Sequence, residues 1–384
     1  MTRGAPRAWV AVDESAIADN AAVLRRLVAP AELCAVVKAD GYGHSAPIVA
    51  RAALAGGARW LAVALVKEGV ALRDEGVEAP ILVLSEPAAD EMVEAAEASL
   101  AMAIYTGDGV WAASEAARLA GRTVALHVKV DTGMHRVGAQ PVAVRRLVRQ
   151  LLDAPRLDFE GLWTHFAVAD DPGDGYTAEQ LRRFAEVRAA IQAEGLPGPA
   201  RLHAANSAGA IAHPSSRLSM VRCGISLYGH APSPLMEGEG VFQELQLRPA
   251  LSWKAVVSHV VEHDAGERPS YGRRVELSED TVVATVPVGY NDGIPRAYLD
   301  AGGEVLIGGQ RRRLAGAVTM DQIVVDCGRP GFDLPVERGD EVVLIGRQGS
   351  EEIRAEEWAE RLGVITYEVL CGIGSRVPRV AVEG

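Results

Sequence analysis

A lysine in the segment Leu33–Pro47, LCAVVKADGYGHSAP, is placed where it could do chemistry. Lys38 follows five apolar or small residues that are typical of a buried strand, and a glycine-containing turn comes after it. A lysine at the end of a strand is usually solvated. Here Asp40, Tyr42 and His44 bring further polar groups next to the amine, which favours a functional role. The rest of the chain has to discriminate between these two interpretations.

Short apolar runs alternate with helical segments through the first part of the chain. Asp13–Val28 is expected to be the first helix, because Asp13 can cap it and its apolar side chains recur on one face. The expected strands are Leu33–Val37, Trp60–Leu65, Pro80–Leu84, Leu100–Ile104, Thr123–Val130, Leu157–Trp163, Arg201–Ala204 and Leu218–Val221. Eight such repeats in roughly 200 residues predict a closed (β/α)8, TIM-like barrel rather than an open doubly wound sheet.

The pattern changes near Gly240, where strands with tight turns replace the alternation. The expected strands are Trp253–Glu262, Thr281–Val288, Glu304–Ile307, Arg313–Val318, Ile323–Asp326 and Glu341–Ile345, and only Ala355–Leu362 is expected to be helical. We therefore expect residues 1–240 to form the barrel and residues 241–384 a mostly β C-terminal domain. The Pro/Gly-rich stretch Ala231–Gly240 would link them, and residues 1–12 could pair with the second domain.

Composition narrows the functional classes. The 384 residues are 48% hydrophobic and 23% charged, which is typical of a soluble globular protein. The net charge of −12 disfavours a nucleic-acid partner, and the short basic run Arg311–Arg313 is expected to be a solvated hairpin edge. Four scattered cysteines predict a reducing compartment. With neither a signal peptide nor an apolar run long enough for a membrane span, we expect a cytoplasmic protein.

Several polar residues follow the predicted barrel strands. In a (β/α)8 barrel the reactive groups sit at these strand ends, and the loops after strands seven and eight commonly bind phosphate through backbone amides. The residues are Lys38, Lys129, Arg136, His165, Asn206, Ser207, Arg222, Gly224 and Ile225. A lysine at the same rim as a phosphate site suggests an enzyme that bonds pyridoxal phosphate through that amine.

Eight motifs in order closely resemble the alanine racemase family, from Trp9 to about Val380. They are AVVKADGYGH (Ala35–His44), VDTGMHRVG (Val130–Gly138), THFAVAD (Thr164–Asp170), RCGISLYG (Arg222–Gly229), SYGR (Ser270–Arg273), GYNDG (Gly289–Gly293), TMDQ (Thr319–Gln322) and YEVLCGIGSRVPR (Tyr367–Arg379). The resemblance implies racemisation of L- and D-alanine by a two-base mechanism, with pyridoxal phosphate as cofactor and a homodimer whose active sites are shared between subunits.

The same resemblance implies a role for each matching residue. Lys38 matches the Schiff-base lysine and one catalytic base, and Tyr271 matches the second base, supplied by the partner subunit. Arg222 matches the residue that hydrogen-bonds the ring nitrogen, with His165 orienting it. The residues that match the phosphate cradle are Tyr42, Ser207, Gly224, Ile225 and Tyr367, with Asn206 nearby. Arg136 and Met320 match the site that binds the substrate carboxylate, and Lys129 matches a lysine that is carbamylated in many members. Tyr290 and Asp321 match residues at the entrance.

Three positions depart from the usual family pattern. Ser45 follows His44 where glycine is commoner, Asn291 stands where alanine is usual, and Thr319 replaces serine or cysteine before Met320. None of these changes removes a proposed catalytic group. Asn291 and Thr319 are expected beside the entrance and the carboxylate site, so they bear on substrate preference and rate.

Other motifs point elsewhere but are poorly supported. The run from Gly41 to Ala46 fits G-x-G-x-x-A, yet the next strand, Trp60–Leu65, ends without the acidic residue that would bind an NAD ribose. His259–His263 spells H-x-x-E-H, but its valines favour a strand, on which Glu262 would face away from both histidines. Aspartic protease chemistry needs two copies of a motif like Asp131-Thr132-Gly133, and the chain has one. Four other histidines lack the spacing of metal ligands and are expected in loops or in the core: His127, His135, His203 and His213. No metal site is expected.

Competing functions stay open on the same scaffold. A broader racemase that accepts serine or basic amino acids is one alternative, since a methylene or hydroxyl changes binding by only about 1–3 kcal/mol. A non-catalytic protein that binds pyridoxal phosphate would resemble the barrel alone, so the β domain with Tyr271, Met320 and Tyr367 disfavours it. A decarboxylase of the same architecture is disfavoured by the match at Arg222.

Overall fold

A computed structural model describes residues 6–237, 240–331 and 335–383. Residues 1–5 of the expected N-terminal pairing segment and residues 238–239 of the expected link therefore lie outside the described residues. The chain divides into two units: Glu14–Pro249, and Met1–Asp13 together with Ala250–Gly384. This division falls after Pro249, whereas the change in sequence pattern falls near Gly240.

The first unit contains eight of the strands and most of the helices that the structure describes. Its strands are β2 (Glu32–Val36), β3 (Trp60–Val63), β4 (Ile81–Val83), β5 (Ala101–Ile104), β6 (Val124–Lys129), β7 (Leu157–Trp163), β8 (Arg201–His203) and β9 (Met220–Cys223). Its helices are α1 (Glu14–Val28), α3 (Ala46–Ala55), α4 (Val66–Asp74), α5 (Glu91–Glu97), α6 (Gly107–Ala120), α7 (Pro141–Asp153), α8 (Tyr176–Ala193), α9 (Ser207–Ala212), α10 (Pro234–Glu237) and α11 (Gly240–Glu244), with a helix-like turn, α2, at Lys38–Tyr42.

The eight strands form a closed parallel barrel in chain order from β2 to β9. The barrel closes where β9 pairs with β2, with Val221 opposite Leu33. Strands such as β3, β4 and β5 are buried along their whole length, as expected for parallel strands covered by helices outside and by side chains inside. The predicted (β/α)8 barrel is confirmed.

One barrel strand is irregular. Leu126 of β6 pairs with Phe159 of β7, but the next residue, His127, pairs with Gly161. Glu160 is therefore an extra residue in β7, which makes it a β-bulge. A bulge turns its side chain away from the regular alternation of the strand.

The second unit is mostly β, as predicted. Its elements are β1 (Ala8–Asp13), β10 (Leu251–Val256), β11 (His259–His263), β12 (Thr281–Val286), β13 (Glu304–Ile307), β14 (Gln310–Arg313), β15 (Ile323–Asp326), β16 (Glu341–Gln348), β17 (Glu351–Ile353), α12 (Ala355–Leu362), α13 (Thr366–Cys371) and β18 (Arg379–Val382). One sheet has the order β14-β13-β16-β10-β1-β18, with β17 paired to β16, and a smaller sheet has the order β11-β12-β15. β1 runs antiparallel to β10 and parallel to β18. Three buried rings, Trp253, Trp358 and Tyr298, pack together in the core of this unit, and the last two are stacked with centroids 4.0 Å apart.

Three expectations for this unit are wrong. The single strand predicted over Trp253–Glu262 is two strands in different sheets, β10 and β11, because the Val257 amide donates to the Asp340 carbonyl and the next amide, of Ser258, donates to the Thr285 carbonyl. The strand predicted over Arg313–Val318 ends at Arg313, apart from one isolated bridge at Leu314. Beyond the bridge, the Ala317 carbonyl accepts a hydrogen bond from the Ser270 side chain at 2.8 Å. Thr366–Cys371 is a second helix that the sequence analysis missed. Six residues with tyrosine, valine and cysteine among them contain too little helical periodicity and propensity to be recognised.

The basic run Arg311–Arg313 is not simply a solvated edge. Arg311 forms ion pairs with Glu304, Glu351 and Glu357 at 3.1, 3.2 and 2.7 Å. Arg312 is buried and donates to the Cys327 carbonyl at 2.8 Å. Only Arg313, whose side chain is 82% exposed, fits the expectation.

His259–His263 is a strand, which pairs antiparallel to β12. The strand expected from its valines is therefore confirmed. In the parts of the chain that the structure describes, no helix combines the length and the apolar character that crossing a membrane requires.

Candidate active site

The residues after the barrel strands converge because the strands are parallel and form a closed ring. Lys38 follows β2, Lys129 ends β6, and His165 follows β7. Arg222 lies on β9, and the loop after β8 begins the short helix α9 at Ser207. These side chains therefore lie at one end of the barrel, the end that carries active sites in this fold.

Lys38 begins a turn of unusual handedness. Ala39, Asp40, Gly41, Tyr42 and Gly43 all have positive φ angles, from 50° to 81°. Left-handed backbone costs about 1–2 kcal/mol for each residue that is not glycine. Backbone strain of this kind is characteristic of functional sites.

Two carboxylates hold this turn. The Ala39 amide donates to Glu68 Oε1, and the Ala46 amide donates to Asp40 Oδ1, both at 2.8 Å. Gly41 is required for space as well as for its φ angle, because a Cβ there would lie 2.9 Å from Val49 Cγ2. The position from which Lys38 extends is thus set by its own turn and by α4.

Arg222 is a buried cation, 3% exposed. One terminal nitrogen, Nη1, lies 2.8 Å from His203 Nδ1. The other, Nη2, donates to the carbonyls of Thr164 and Ala204 at 2.9 and 3.0 Å and lies 3.3 Å from His165 Nδ1. Burial lowers the pKa of Arg222 to about 10, so the guanidinium keeps its charge at neutral pH.

His165 is neutral at physiological pH. Burial lowers its pKa well below the ordinary value, and the positive charges of Arg222, Lys129, Arg136 and Lys38 lower it further. Because an arginine can only donate, the His165 Nδ1 next to Arg222 must be an acceptor. Since Nη2 has two hydrogens and the Thr164 and Ala204 carbonyls accept them at shorter distances, His165 adds only a weak, shared hydrogen bond and no charge.

Lys129 lies in the same cationic cluster. Its amine is 4.6 Å from the centre of the Trp163 ring, and the Arg222 guanidinium is 4.7 Å from the same ring. Burial lowers the pKa of Lys129 to about 8, and the charges of Arg222 and Arg136 contribute. Lys38, Lys129, Arg136 and Arg222 form a group of four cations, of which Lys129 and Arg222 are buried, and such a group favours an anionic ligand.

The loops after β8 and β9 are joined at Ser207. Its hydroxyl oxygen accepts from the Gly224 amide at 2.9 Å, while Asn206 caps α9 by accepting from the Gly209 amide at 2.9 Å. A Cβ at residue 224 would lie only 2.4 Å from the Tyr42 hydroxyl oxygen. Glycine at this position thus lets the Tyr42 hydroxyl approach the backbone closely. Ile225 continues this loop and is buried.

The remaining predicted site residues lie on the second unit. Tyr271 is 75% exposed in a short 3-10 turn, and it lines a surface cavity of about 410 Å³ with Ser270, Thr319, Gln322 and Val324. Met320 and Tyr290 are also exposed. Tyr367 lies on α13.

The turn that carries Met320 is tightly held. The Tyr290 amide donates to the Thr319 carbonyl at 2.9 Å, and the Asn291 amide donates to the Met320 carbonyl at 3.1 Å. The Thr319 hydroxyl donates to the Gln322 carbonyl at 2.8 Å. The threonine that replaces the usual serine or cysteine therefore closes this turn.

Asp321, one of the predicted entrance residues, forms an ion pair. Arg376 contacts Asp321 at 2.8 Å and also holds Asp292, whose carboxylate accepts from the Gly289 amide at 2.8 Å. Arg376 thus connects the two loops that bear Tyr290 and Asp321.

The family of the chain follows from comparison with known proteins. The family model described as alanine racemase, N-terminal domain, matches residues 12–232, and the model of the alanine racemase C-terminal domain matches residues 250–381. An alanine racemase of Symbiobacterium thermophilum is 46% identical over 371 residues, which cover 97% of this chain and 96% of the relative. The chain belongs to the alanine racemase family.

Solved structures agree with this assignment. An alanine racemase from D-cycloserine-producing Streptomyces lavendulae has a TM-score of 0.91 at 37% identity, covering 100% of this chain and 98% of that one. A histidine racemase from Leuconostoc mesenteroides is also similar, with a TM-score of 0.89 at 29% identity, covering 99% of each chain. The resemblance to alanine racemases that the eight motifs indicated is confirmed.

The sequence analysis missed three residues that are linked to Arg222. His203 bonds Arg222 directly, His127 Nδ1 lies 2.9 Å from His203 Nε2, and Glu160 Oε2 lies 3.4 Å from His127 Nε2. His127 and His203 were expected to be loop or core histidines, and both are fully buried. The available signal was that His127 stands two residues before Lys129 on β6, so that both side chains face the barrel interior.

Proposed function

We propose that this protein interconverts L-alanine and D-alanine by a two-base mechanism that depends on pyridoxal phosphate. The observation that carries the proposal is the buried, charged Arg222 at a rim that also bears Lys38 and the neutral His165. A carboxylate in place of Arg222 would favour a protonated ring nitrogen, whereas an arginine does not. Membership of the alanine racemase family supports the same reaction.

The rim residues fit this cofactor. Tyr42, Ser207, Gly224 and Ile225 would hold the phosphate, with Asn206 supporting the loop and Tyr367 contributing from α13. When bound, pyridoxal phosphate supplies an aldehyde for an amino group and a conjugated ring that delocalises the charge left when the α-proton is removed. Arg222 would donate a hydrogen bond to the ring nitrogen and leave it unprotonated, which limits side reactions such as transamination.

The chain's own residues perform the proton transfers in this proposal. Lys38 and the partner subunit's Tyr271 would face opposite sides of the substrate Cα. One of them removes the α-proton, and the other returns a proton from the far side, which inverts the configuration. Arg136 and the backbone of Met320, again from the partner chain, would bind the substrate carboxylate, and Tyr290 and Asp321 would narrow the entrance.

We propose a homodimer with shared active sites. The support is the exposed surface of the second unit, where Tyr271 and Met320 are 75% and 51% exposed and Tyr290 lies nearby on the loop bonded to the Met320 turn. Large exposed apolar side chains that group together commonly mark an interface. We also propose a cytoplasmic location, since the four cysteines are scattered along the sequence, which is typical of a reducing compartment.

The reaction is tested by incubating the purified protein, loaded with pyridoxal phosphate, with L-alanine and measuring optical rotation. We expect rotation to decay to zero as D-alanine forms, and Lys38→Ala and Tyr271→Phe to abolish this decay. Racemisation at the wild-type rate by the Lys38 variant would contradict the mechanism, and no racemisation by the wild type would contradict the function.

Mixing the two inactive variants tests the shared site. A hybrid dimer of the Lys38→Ala and Tyr271→Phe subunits would contain one intact site, since its unmutated Lys38 and Tyr271 come from different subunits. With random exchange, activity should recover to about a quarter of the wild-type value. If both residues act within one chain, every site stays defective and no activity returns. Exchange is verified with subunits of different mass.

A broader amino-acid racemase is the second candidate. The similarity to a histidine racemase and the presence of Asn291, expected beside the entrance, favour this alternative. Relative kcat/KM values for L-alanine, L-serine, L-lysine and L-histidine discriminate between the two. Alanine preferred by a large factor supports the first proposal, and comparable values support the second.

A further inference from the structure

A line of polar side chains in contact crosses the barrel interior from Arg222 to the opposite end. It runs from Arg222 Nη1 to His203 Nδ1 at 2.8 Å, and from His203 Nε2 to His127 Nδ1 at 2.9 Å. The last step, from His127 Nε2 to Glu160 Oε2, is a charge contact at 3.4 Å that lacks hydrogen-bond geometry. Glu160 is held in turn by Arg201 at 2.8 Å.

The contact with Arg222 determines which ring nitrogen of each histidine in this line carries the proton. A guanidinium can only donate, so His203 Nδ1 must accept and His203 must carry its proton on Nε2. That proton is donated to His127 Nδ1, so His127 also carries its proton on Nε2, where it faces Glu160. Both histidines are neutral in this arrangement, which agrees with the fall in their pKa values caused by burial.

Glu160 completes the line as an anion. Burial alone would raise its pKa, but contacts with His127 and Arg201 outweigh this and keep the pKa below the ordinary value. Glu160 also lines a cavity of about 140 Å³ formed by residues that precede β4, β5 and β6, such as Pro80 and Thr123. The line therefore connects the cofactor end of the barrel to its other end.

Two local features of β7 serve this line. The β-bulge that makes Glu160 an extra residue changes the direction of its side chain. The next residue, Gly161, has no Cβ, and a Cβ there would lie only 2.2 Å from His127 Nδ1. The His127 ring also meets the edge of Trp60, and the His203 ring stacks on Trp163 at 5.4 Å. The backbone is thus shaped to admit these two rings.

We propose that His127 and Glu160 are positioning residues which, through His203, hold the Arg222 guanidinium in the orientation that it needs at the cofactor ring. If His203 carried its proton on Nδ1, two donors would face each other and Arg222 would have to turn away. The acceptor at His127 and the anion at Glu160 prevent that tautomer. This inference rests on the proposed role of Arg222.

Histidine tautomers give the first test, because they are measured without the cofactor. Nitrogen NMR of the ¹⁵N-histidine-labelled protein distinguishes protonated from unprotonated ring nitrogens, and His127→Phe identifies the His127 signals among the nine histidines. We expect His203 and His127 to be neutral and protonated at Nε2, with and without pyridoxal phosphate. A protonated Nδ1 on His203 would overturn the proposal.

Kinetics and the absorption spectrum of the loaded enzyme give the second test. We expect His127→Phe to lower kcat about tenfold, to change KM for L-alanine less than about twofold, and to shift the absorption of the bound cofactor. His127→Gln, whose amide oxygen can accept from His203, should restore kcat to within about threefold of the wild type. Glu160→Gln keeps the size of the side chain but removes the charge, and it should lower kcat or change the His203 tautomer.

Val128→Ala is the matched control. Val128 is buried on β6 beside His127 but faces the other side of the strand, so its truncation destabilises the barrel without touching the line. If His127→Phe and Val128→Ala have the same kcat and absorption at equal loss of thermal stability, His127 is only structural and the proposal fails. If His127→Phe does not fold, a wild-type kcat and tautomer in Glu160→Gln would overturn it. A wild-type enzyme that does not racemise alanine would instead contradict the proposed function, while the tautomers remain measurable.

Discussion

Lys129 is expected to react with carbon dioxide. With a pKa of about 8, about a tenth of its amine is neutral at pH 7, about 300 times more than for an amine with a pKa of 10.5. The neutral nitrogen can form a bond to the carbon of carbon dioxide and lose a proton to solvent, which gives a carbamate anion. Arg222, Arg136 and Lys38 lower the pKa of the amine, and the same charges would attract the carbamate.

The size of the effect follows from the pKa shift. A fall from 10.5 to about 8 corresponds to about 3 kcal/mol against the charged form of Lys129 in the folded protein. Since the unfolded chain binds more protons than the folded protein between these pKa values, stability should rise with pH there. In buffers free of carbon dioxide, the free energy of unfolding should therefore rise by about 2 kcal/mol more in the wild type than in Lys129→Gln between pH 7.5 and pH 9.5.

Two measurements check this prediction. Chemical denaturation of both proteins at a series of pH values gives the difference in stability. Carbon NMR with ¹³C-bicarbonate near pH 8, together with intact mass under native, non-acidic conditions, detects the carbamate, and Lys129→Gln shows whether the signal belongs to Lys129. A stability difference that does not change with pH, together with no adduct in the wild type, would refute the reasoning.

Further predictions concern the two units separately. Gly224→Ala would place a Cβ 2.4 Å from the Tyr42 hydroxyl, so we expect the affinity for pyridoxal phosphate to fall about tenfold or more in an absorbance titration. Gly175→Ala, where a Cβ meets nothing within 4 Å, is the control, and equal affinities for both variants would contradict the prediction. Arg376→Ala leaves the Asp292 carboxylate without its arginine, and the free energy of unfolding should fall by about 1–2 kcal/mol in chemical denaturation, whereas an unchanged value would show that solvent replaces the ion pair.

The barrel could be predicted because its signal is local and repeated. Runs such as Trp60–Leu65 and Leu100–Ile104 are apolar throughout, and the structure places buried parallel strands there. The rim also follows from order along the chain, since a closed parallel barrel brings every strand end to one side. For this reason, the sequence alone was enough to predict that Lys38 lies on the same rim as Arg222.

Features that depend on distant partners could not be predicted in this way. The residues around Arg311 in the sequence predict a solvated side chain. In the structure it pairs with Glu351 and Glu357, about 40 and 46 residues further along the chain. His127 and His203 lie 76 residues apart, and the room for the His127 ring comes from Gly161 beside the bulge in β7. A bulge has no clear sequence signal, so the role of these histidines is visible only in the folded barrel.

The left-handed turn after β2 also affects how the sequence can change. Exposed Ala39 occupies a conformation that glycine adopts at no steric cost, so glycine at this position would relieve about 1–2 kcal/mol of strain, less about 0.5–1 kcal/mol of added entropy in the unfolded chain. The same substitution would give the backbone next to Lys38 more freedom. Selection for heat resistance alone would thus favour glycine in this turn, whereas selection for turnover would oppose it, and the residues found here indicate which pressure prevailed.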